Sequence, residues 1–386
     1  MCTIFCLSTG LPDLCPLCLS RCIHMNPISP PEPVQGLPAR YFTDEHVHDR
    51  IKRSVFFRTW QFACHESRIP KKGDYFTLSL FDQDVYIVRD AEADLRAFYN
   101  VCQHRGHRLL EGQGNKKRIS CPYHSWTYDL SGRLIGAPNS RSVPGFDASD
   151  ICVPSIRLEN FLGFIFINLD ERCASMDECY PGVREEILGL CPDIESRRFA
   201  HEHNANEGCN WLTAVENYNE CYHCKVAHAE FAKGIIDPDS YNIVPFGEGR
   251  VLRHSSLATR SSEAWYDMQG SNYGSFYLWP ASSIQLYPGG VVNTYHWRPL
   301  SVDDVRVFRG WYSEDGKVDE TLQRVIDLDR ETTFSEDLEL VRNVQRGLRS
   351  MGYRPGPLVV DPNGGIDSEL SIAALHQWLR ESIDRE

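Results

Sequence analysis

The chain has 386 residues, 42% of them hydrophobic and 24% charged, with a formal net charge of −13. That length suits two domains of an ordinary globular protein. The negative balance argues against nucleic acid or an anionic membrane as a partner, and no run approaches the ~20 apolar residues of a membrane span.

The first 24 residues carry Cys2, Cys6, Cys15, Cys18 and Cys22, followed by His24. Cys15, Cys18, Cys22 and His24 offer a zinc set. The preferred reading is a disordered tail or translation from a start upstream of Met25. No basic region precedes a clean apolar run, so a secretory signal is not expected. The 15 cysteines lack the even framework of a secreted scaffold, and the expectation is a cytoplasmic protein with reduced thiols.

Residues 26–40 are rich in proline and read as a flexible arm. A helix is predicted from Phe42 to about Phe57, with Thr43 as N-cap. Strand patterns follow at Tyr75–Leu80, Val85–Arg89 and Leu95–Tyr99. Then come two short pairs, Cys102-Gln-His104 and Cys121-Pro-Tyr-His124, separated by 16 residues. A zinc finger groups cysteine with cysteine and histidine with histidine. One of each per hairpin is what a [2Fe–2S] cluster needs when one iron takes two sulfurs and the other two nitrogens. His107 is read as a loop residue beside the cluster, since the ligand set is already complete. Trp126–Leu134 is a hairpin with Ser131-Gly132 at its tip, and Phe161–Leu169 is a buried strand by its bulk.

From about residue 170 the character changes. A helix is predicted at Met176–Leu190, strands across 276–313, and helices at Glu331–Arg349 and Glu369–Ser382. Helices enclosing an antiparallel sheet make an α+β domain. The boundaries expected are a disordered arm at 1–40, a cluster domain with its leading helix at 41–165, and a catalytic domain at 166–386.

The second site lies in Glu216-Asn-Tyr-Asn-Glu220-Cys-Tyr-His223-Cys-Lys-Val-Ala-His228. Glu216, Glu220 and His223 share a helical face by steps of four and three. His228 is five beyond His223, so the helix must end or bulge before both can hold one ion. Two imidazoles and a carboxylate form the facial triad of non-haem Fe(II) oxygenases, which leaves positions open for O2 and substrate. Candidates for the carboxylate are Glu336, Asp337 and Glu339. Asp337 continues the stripe Val341, Val344, Leu348 and so points inward, at a helix first turn where the dipole favours an acid.

The run Cys102-Gln-His104-Arg-Gly-His107 with Cys121-Pro-Tyr-His124-Ser-Trp126, and the later His223/His228 motif, resemble the Rieske non-haem iron oxygenases from about residue 40 to the end. Within them Glu220-Cys-Tyr-His-Cys224, Glu336–Val341, Val344–Leu348 and Gly352–Gly356 are similar to the carnitine monooxygenase type acting on quaternary amines. The resemblance implies an all-β Rieske domain followed by a helix-grip, START-like catalytic domain, one [2Fe–2S] cluster and one Fe(II) per subunit. It also implies a homotrimer in which Glu220 bridges the iron to a neighbour's cluster, and electrons from NAD(P)H through a separate flavin/iron–sulfur reductase. The implied reaction is O2-dependent hydroxylation beside the nitrogen of a betaine- or carnitine-like small molecule, with N-demethylation or C–N cleavage. An aromatic-ring hydroxylase is the alternative. An electron carrier with a dead second domain is ranked lower still, because His223, His228 and a third acid are all present.

A quaternary ammonium donates no hydrogen bond and calls for aromatic faces. Tyr277, Trp279, Tyr287 and Tyr295 are candidates for that role, each weighed against plain packing. Arg298 is the candidate partner of a substrate carboxylate.

Overall fold

The computed structural model describes residues 33–268 and 272–384. The cysteines of residues 1–24 and most of the proline-rich arm lie outside the described residues.

Two seven-stranded antiparallel sheets organise the chain. The first runs Gln61–His65, Phe164–Asn168, Ser155–Phe161, Leu95–Tyr99, Gln83–Arg89, Asp74–Leu80 and Gln113–Asn115 in spatial order. Its register is set by pairs such as Tyr75 with Val88 and Tyr86 with Phe98. A small three-stranded sheet, Ile119–Ser120, Thr127–Tyr128 and Leu134–Gly136, adjoins the second Cys/His pair. The second large sheet runs Arg198–Asn206, Asp304–Ser313, Val291–Ser301, Ser282–Tyr287, Tyr273–Leu278, Val251–Ser256 and Asn242–Pro245. The helices Trp211–Tyr218, Ser335–Leu348 and Leu370–Ile383 cover it, as the α+β, helix-grip expectation requires.

The largest core cluster centres on Trp211, Trp279 and Trp311, each at most 1% exposed. A ring of that size removes about 150–250 Å² from water, an upper bound of about 4–6 kcal/mol each. Phe42, Ile51, Val55 and Phe56 join this cluster, and Phe56 meets Trp211 edge-on at 5.0 Å. The leading helix therefore packs on the catalytic core as well as on the cluster domain, where Phe56 meets Phe81 at 5.2 Å and Lys52 Nζ donates to Asp82 Oδ2 at 2.9 Å. A second cluster binds the sheets to each other, with Trp60, Phe62, Phe164 and Phe166 against Phe276, Ile284 and Tyr312.

Several local expectations are corrected. Residues 34–40 are not a free arm: Gly36 N–H donates to Gly356 O at 2.9 Å, and Leu37 is 1% exposed. Asp44, not Thr43, caps the first long helix, Glu45–Ser54. Its carboxylate accepts from His46 N at 2.8 Å and Val47 N at 3.3 Å, while Thr43 ends a separate turn, Arg40–Thr43. Met176–Leu190 is two helices, Met176–Cys179 and Val183–Leu190. Pro181 disfavours helical backbone at Tyr180, and Gly182 takes φ +80°. The helix expected at Glu331 starts earlier, at Glu320–Asp329, passes through a π-helical turn at Arg330–Phe334, and continues as Ser335–Leu348. Asp337 thus lies inside a continuous helical run, so a free N-terminal dipole does not explain its place. Its stripe is Val341, Gln345 and Leu348, because Val344 is 49% exposed.

Candidate metal centres

The two Cys/His pairs sit in matching tight turns. Gly106 N–H closes the first on Cys102 O at 2.9 Å, and Ser125 N–H closes the second on Cys121 O at 3.0 Å. Both turns end in left-handed backbone, φ +71° at Gly106 and φ +58° at Ser125. Cys102 and Cys121 are 2% and 3% exposed, whereas His104 is exposed and His124 half-buried. The two imidazole rings lie 4.7 Å apart, and His104 stacks on Trp126. Tyr128 Oη lies 3.3 Å from Cys102 Sγ and accepts from Gln103 N–H at 3.0 Å. Burial, with the nearby Cys102 thiol adding to it, pushes the Cys121 thiol up. His124 Nδ1 is a buried atom with no hydrogen-bond partner among the described residues. Sulfur donors inside, nitrogen donors at the surface and an orphaned imidazole nitrogen fit a cluster with one buried and one outer iron.

The second site is built on interrupted helix. Asn210 caps Trp211–Tyr218, its Oδ1 accepting from Leu212 N–H at 2.9 Å. The helix stops at Asn219, so Glu220 lies in a turn and His223 at the N-cap of the short helix Cys224–Ala227. A disulfide joins Cys221 to Cys224 across this turn, in place of the expected free thiols. The short helix ends at His228, with φ −118° and ψ 52°, which turns His228 back toward His223. The break expected before His228 is present. A second break after Tyr218 removes Glu216 from the shared face, and Glu216 instead accepts from His376 Nε2 at 2.6 Å.

His223 Nε2 and His228 Nε2 are 3.0 Å apart, and His228 Nε2 is 2.8 Å from Asp337 Oδ1. The donor atoms of His223, His228 and Asp337 all lie within 4.8 Å of one another. The outer nitrogens are tied back: His223 Nδ1–H donates to Glu220, and His228 Nδ1–H to Glu336 Oε2 at 2.7 Å. A carboxylate on each Nδ1 fixes the tautomer that turns the Nε2 lone pair inward. Glu336, a candidate third donor, is thereby a support of His228, and Glu339 is solvent-facing. Asn217 Nδ2 donates to Asp337 Oδ1 at 3.0 Å. Burial alone would lower His223, but its bonds to Asp337 and Glu220 outweigh that and raise it to about 10. Burial alone would raise Asp337, yet the two histidines hold it well below the usual carboxylate range. A pocket that draws protons onto two facing imidazoles is one in which a divalent cation can replace them.

A narrow cavity of about 70 Å³ adjoins these donors. Tyr218, Tyr241, Tyr273, Tyr287, Tyr295 and Trp297 form its aromatic wall. Of the four aromatic residues singled out from sequence, Tyr287 and Tyr295 line the cavity and Tyr277 and Trp279 do not. Tyr277 is fully buried with its hydroxyl donated to Pro280 O, and Trp279 packs between Trp211 and Trp378. Arg298 is also elsewhere. It lies over the Phe308 ring in a separate cleft and reaches Ala63 O.

The cavity's cation is Arg309, which sequence reading missed. Its Nη1 donates to Asp329 Oδ2 at 2.9 Å, and Tyr295 Oη donates to Asp329 Oδ1 at 2.7 Å. Alternation along Val305, Val307, Arg309 and Trp311 marks Arg309 as inward-facing, a signal the sequence held. Glu207 and His254 also line the cavity, with no such signal. Burial pushes Glu207 up to about 7 despite the lowering pull of Arg309, and pulls His254 down to about 3.

Mixed Cys/His turns in one domain and a two-histidine, one-carboxylate pocket in the next are the equipment of an iron-dependent oxidoreductase. The Rieske [2Fe–2S] domain family matches residues 59–147, and the catalytic domain of the ring-hydroxylating α-subunits matches residues 194–385. The carnitine monooxygenase oxygenase subunit of Escherichia coli (strain K12) is 32% identical over 91% of this chain and 94% of its own length. The chloroplastic choline monooxygenase of Beta vulgaris is 27% identical over 95% and 82%. A solved quaternary ammonium Rieske monooxygenase superposes with a TM-score of 0.85 at 30% identity, covering 91% of this chain and 96% of that one. The chain belongs to the Rieske oxygenases with a ring-hydroxylating-type α-subunit. It is an oxidoreductase whose two domains imply an iron–sulfur cluster and a non-haem iron. No helix among the described residues is long and apolar enough to cross a membrane.

Proposed function

We propose that the chain is the terminal oxygenase of a monooxygenase acting on a quaternary amine. The observation that carries this reading is the His223/His228/Asp337 donor set opening onto an aromatic-walled cavity. In it, Cys102, His104, Cys121 and His124 hold the cluster, and His223, His228 and Asp337 hold the iron. When bound, the cluster supplies single electrons and the iron the activation of O2.

The chain's own residues do the rest. Glu220 and Glu336 orient the two imidazoles. Tyr218, Tyr295 and Trp297 exclude water and offer ring faces to a cationic head. Hydroxylation of an N-methyl gives a carbinolamine that collapses to formaldehyde and a demethylated amine. Hydroxylation of the chain carbon beside nitrogen releases a tertiary amine and leaves a carbonyl. Either route consumes one O2, two electrons and two protons, and yields one water. The electrons come from NAD(P)H through a separate flavin/iron–sulfur reductase. The working assembly is a cytoplasmic homotrimer, in which Glu220 couples His223 to a cluster histidine of the neighbouring subunit.

The test is oxygen uptake by the reconstituted protein with a compatible reductase. Quaternary amines and simple aromatic compounds are offered in parallel, with assays for formaldehyde and tertiary amine. Stoichiometric release from a quaternary amine supports the reading. Hydroxylation of aromatic compounds alone overturns it.

A further inference from the structure

The cavity wall holds a buried cation whose donors are only partly used. Arg309 is 4% exposed, and its Nη1 donates to Asp329 Oδ2 at 2.9 Å. Among the described residues neither its buried Nε–H nor its Nη2 has a hydrogen-bond partner. A buried donor left unmade is costly, and native structures rarely keep one without a use. Nε–H and Nη2–H project in parallel from one edge of the guanidinium, an edge that receives a carboxylate through two hydrogen bonds.

The surroundings hold that edge in place. Arg309 on the strand Asp304–Ser313 is paired directly with Tyr295 on Val291–Ser301. The rings of Tyr295 and Phe334 both lie against the guanidinium, at 4.5 and 4.3 Å. Tyr295 Oη donates to Asp329 Oδ1 at 2.7 Å, so the carboxylate that grips Nη1 is itself anchored. Asp329 ends one helix, and Phe334 closes the π-helical turn that leads on toward Asp337. Such turns often mark functional sites. The Nε/Nη2 edge is thus the uncommitted side of a fixed residue, on the wall of the cavity that the iron donors share. Aromatic faces adjoin it: the Tyr295 ring lies 5.3 Å from that of Tyr218 and 5.8 Å from that of Trp297.

We propose that Arg309 is the specificity residue of this cavity: its Nε–H/Nη2–H fork receives the carboxylate of a zwitterionic quaternary amine and so selects it over a choline-like cation that has none. This rests on the quaternary-amine reading above and narrows it. The cationic head lies on the faces of Tyr218 and Trp297 while the acid end reaches the fork, so one small molecule spans two adjoining parts of the wall. Asp329 already matches the charge of Arg309. What the substrate supplies is a pair of acceptors for two N–H groups, and its own two charges cancel. A choline-like hydroxyl offers a single neutral oxygen in their place, a weaker acceptor than a carboxylate. Glu207, on the same wall, does not bar the acid end, because burial raises its carboxyl to about 7 and the protonated form donates a hydrogen bond.

The test compares matched ligands on the full, reconstituted protein. Anaerobic titration calorimetry would measure binding of glycine betaine and γ-butyrobetaine, each beside its carboxamide, in which a neutral amide replaces the carboxylate, and of choline. Wild type should bind at least one of the acids about 30-fold more tightly than its carboxamide and than choline. Arg309→Lys keeps a positive charge beside Asp329 and removes the fork. It should erase most of that preference by weakening the acid, with carboxamide binding within about twofold of wild type. The cluster absorbance reports that the variant is folded, and the wild-type comparison stands without it. A wild type that binds carboxamides or choline as tightly as the acids overturns the role of Arg309. So does an Arg309→Lys protein that keeps the preference, as it would if the iron itself held the carboxylate, or one that loses acid and carboxamide equally, as a merely structural arginine would. All three leave the quaternary-amine reading intact. Turnover of aromatic compounds with no binding of any quaternary amine overturns both.

Discussion

Glu336 is the sharpest single test of how the iron site is supported. Its carboxylate accepts from His228 Nδ1–H at 2.7 Å, and His228 itself is 2% exposed, so Glu336 is the group that sets the ring's tautomer. Removing such a partner costs 10–100-fold in metal affinity, about 1.4–2.7 kcal/mol. The structure decides where in that range each variant falls. The Glu336 side chain is 36% exposed and water screens it, whereas Glu220 on His223 is 16% exposed. Glu336→Gln keeps an acceptor oxygen and should lose about tenfold in Fe(II) affinity, while Glu220→Gln should lie nearer 100-fold. Anaerobic competition with a coloured ferrous chelator measures both, with the cluster absorbance as the control for folding. Electron transfer from reduced cluster to iron, followed in a single turnover, should slow far more in Glu220→Gln than in Glu336→Gln. Fe(II) affinity within twofold of wild type in both variants would refute the reasoning that carboxylate-bonded Nδ1 atoms prepare this site.

Acid should weaken the metal-free fold through His65 and His254. Burial pulls them to about 4 and about 3, whereas an unfolded imidazole protonates near 6.5. Below that value the unfolded chain takes protons the fold refuses, so stability is lost as pH falls from 6.5, about 2 kcal/mol per histidine by pH 5. Glu207, raised by burial, works in the opposite direction and offsets part of this. Urea titrations at pH 5 and 8 should show a smaller pH difference for His254→Gln than for wild type, and equal differences would count against the account. Arg309→Met strands Asp329, which is 1% exposed, and should destabilise the chain by about 3–5 kcal/mol. Arg309→Met combined with Asp329→Leu should recover most of that in the same titration, and a double variant as unstable as the single one would argue against a stranded charge. Alkylation of the oxidised, denatured protein should leave Cys221 and Cys224 unmodified until a reductant is added. Labelling of both beforehand would contradict the bridge.

What the sequence made legible were features governed by short-range spacing. Cys102/His104 and Cys121/His124 each sit within one tight turn, so four residues of text contain the geometry. The five-residue step from His223 to His228 announced a helix break for the same reason. The phase of Asp337 was also readable, although one member of its stripe, Val344, faces water. The misreadings occur where a distant element decides. Glu216 is drawn to His376 from the last helix, and the helix break after Tyr218 has no proline or glycine to mark it. Phe56, ahead of the Rieske domain in sequence, meets both Phe81 of that domain and the distant Trp211, a second contact that no local spacing announces. The helix Glu320–Asp329 carries good amphipathic spacing that went unread, and with it went Asp329 and its pairing with Arg309. Tyr277 and Tyr287 have the same composition signal. Only the three-dimensional depth of each strand separates packing from cavity wall.

The account depends on two different iron centres in one chain, and metal analysis of wild type beside Asp337→Ala tests that most directly. Wild type reconstituted with iron and sulfide should hold a [2Fe–2S] cluster with a mixed histidine–thiolate spectrum, plus one further ferrous ion. Asp337→Ala should keep the cluster spectrum, lose the extra iron, and lose substrate-dependent oxygen uptake. Iron content unchanged by Asp337→Ala, or zinc in place of the cluster, would contradict it.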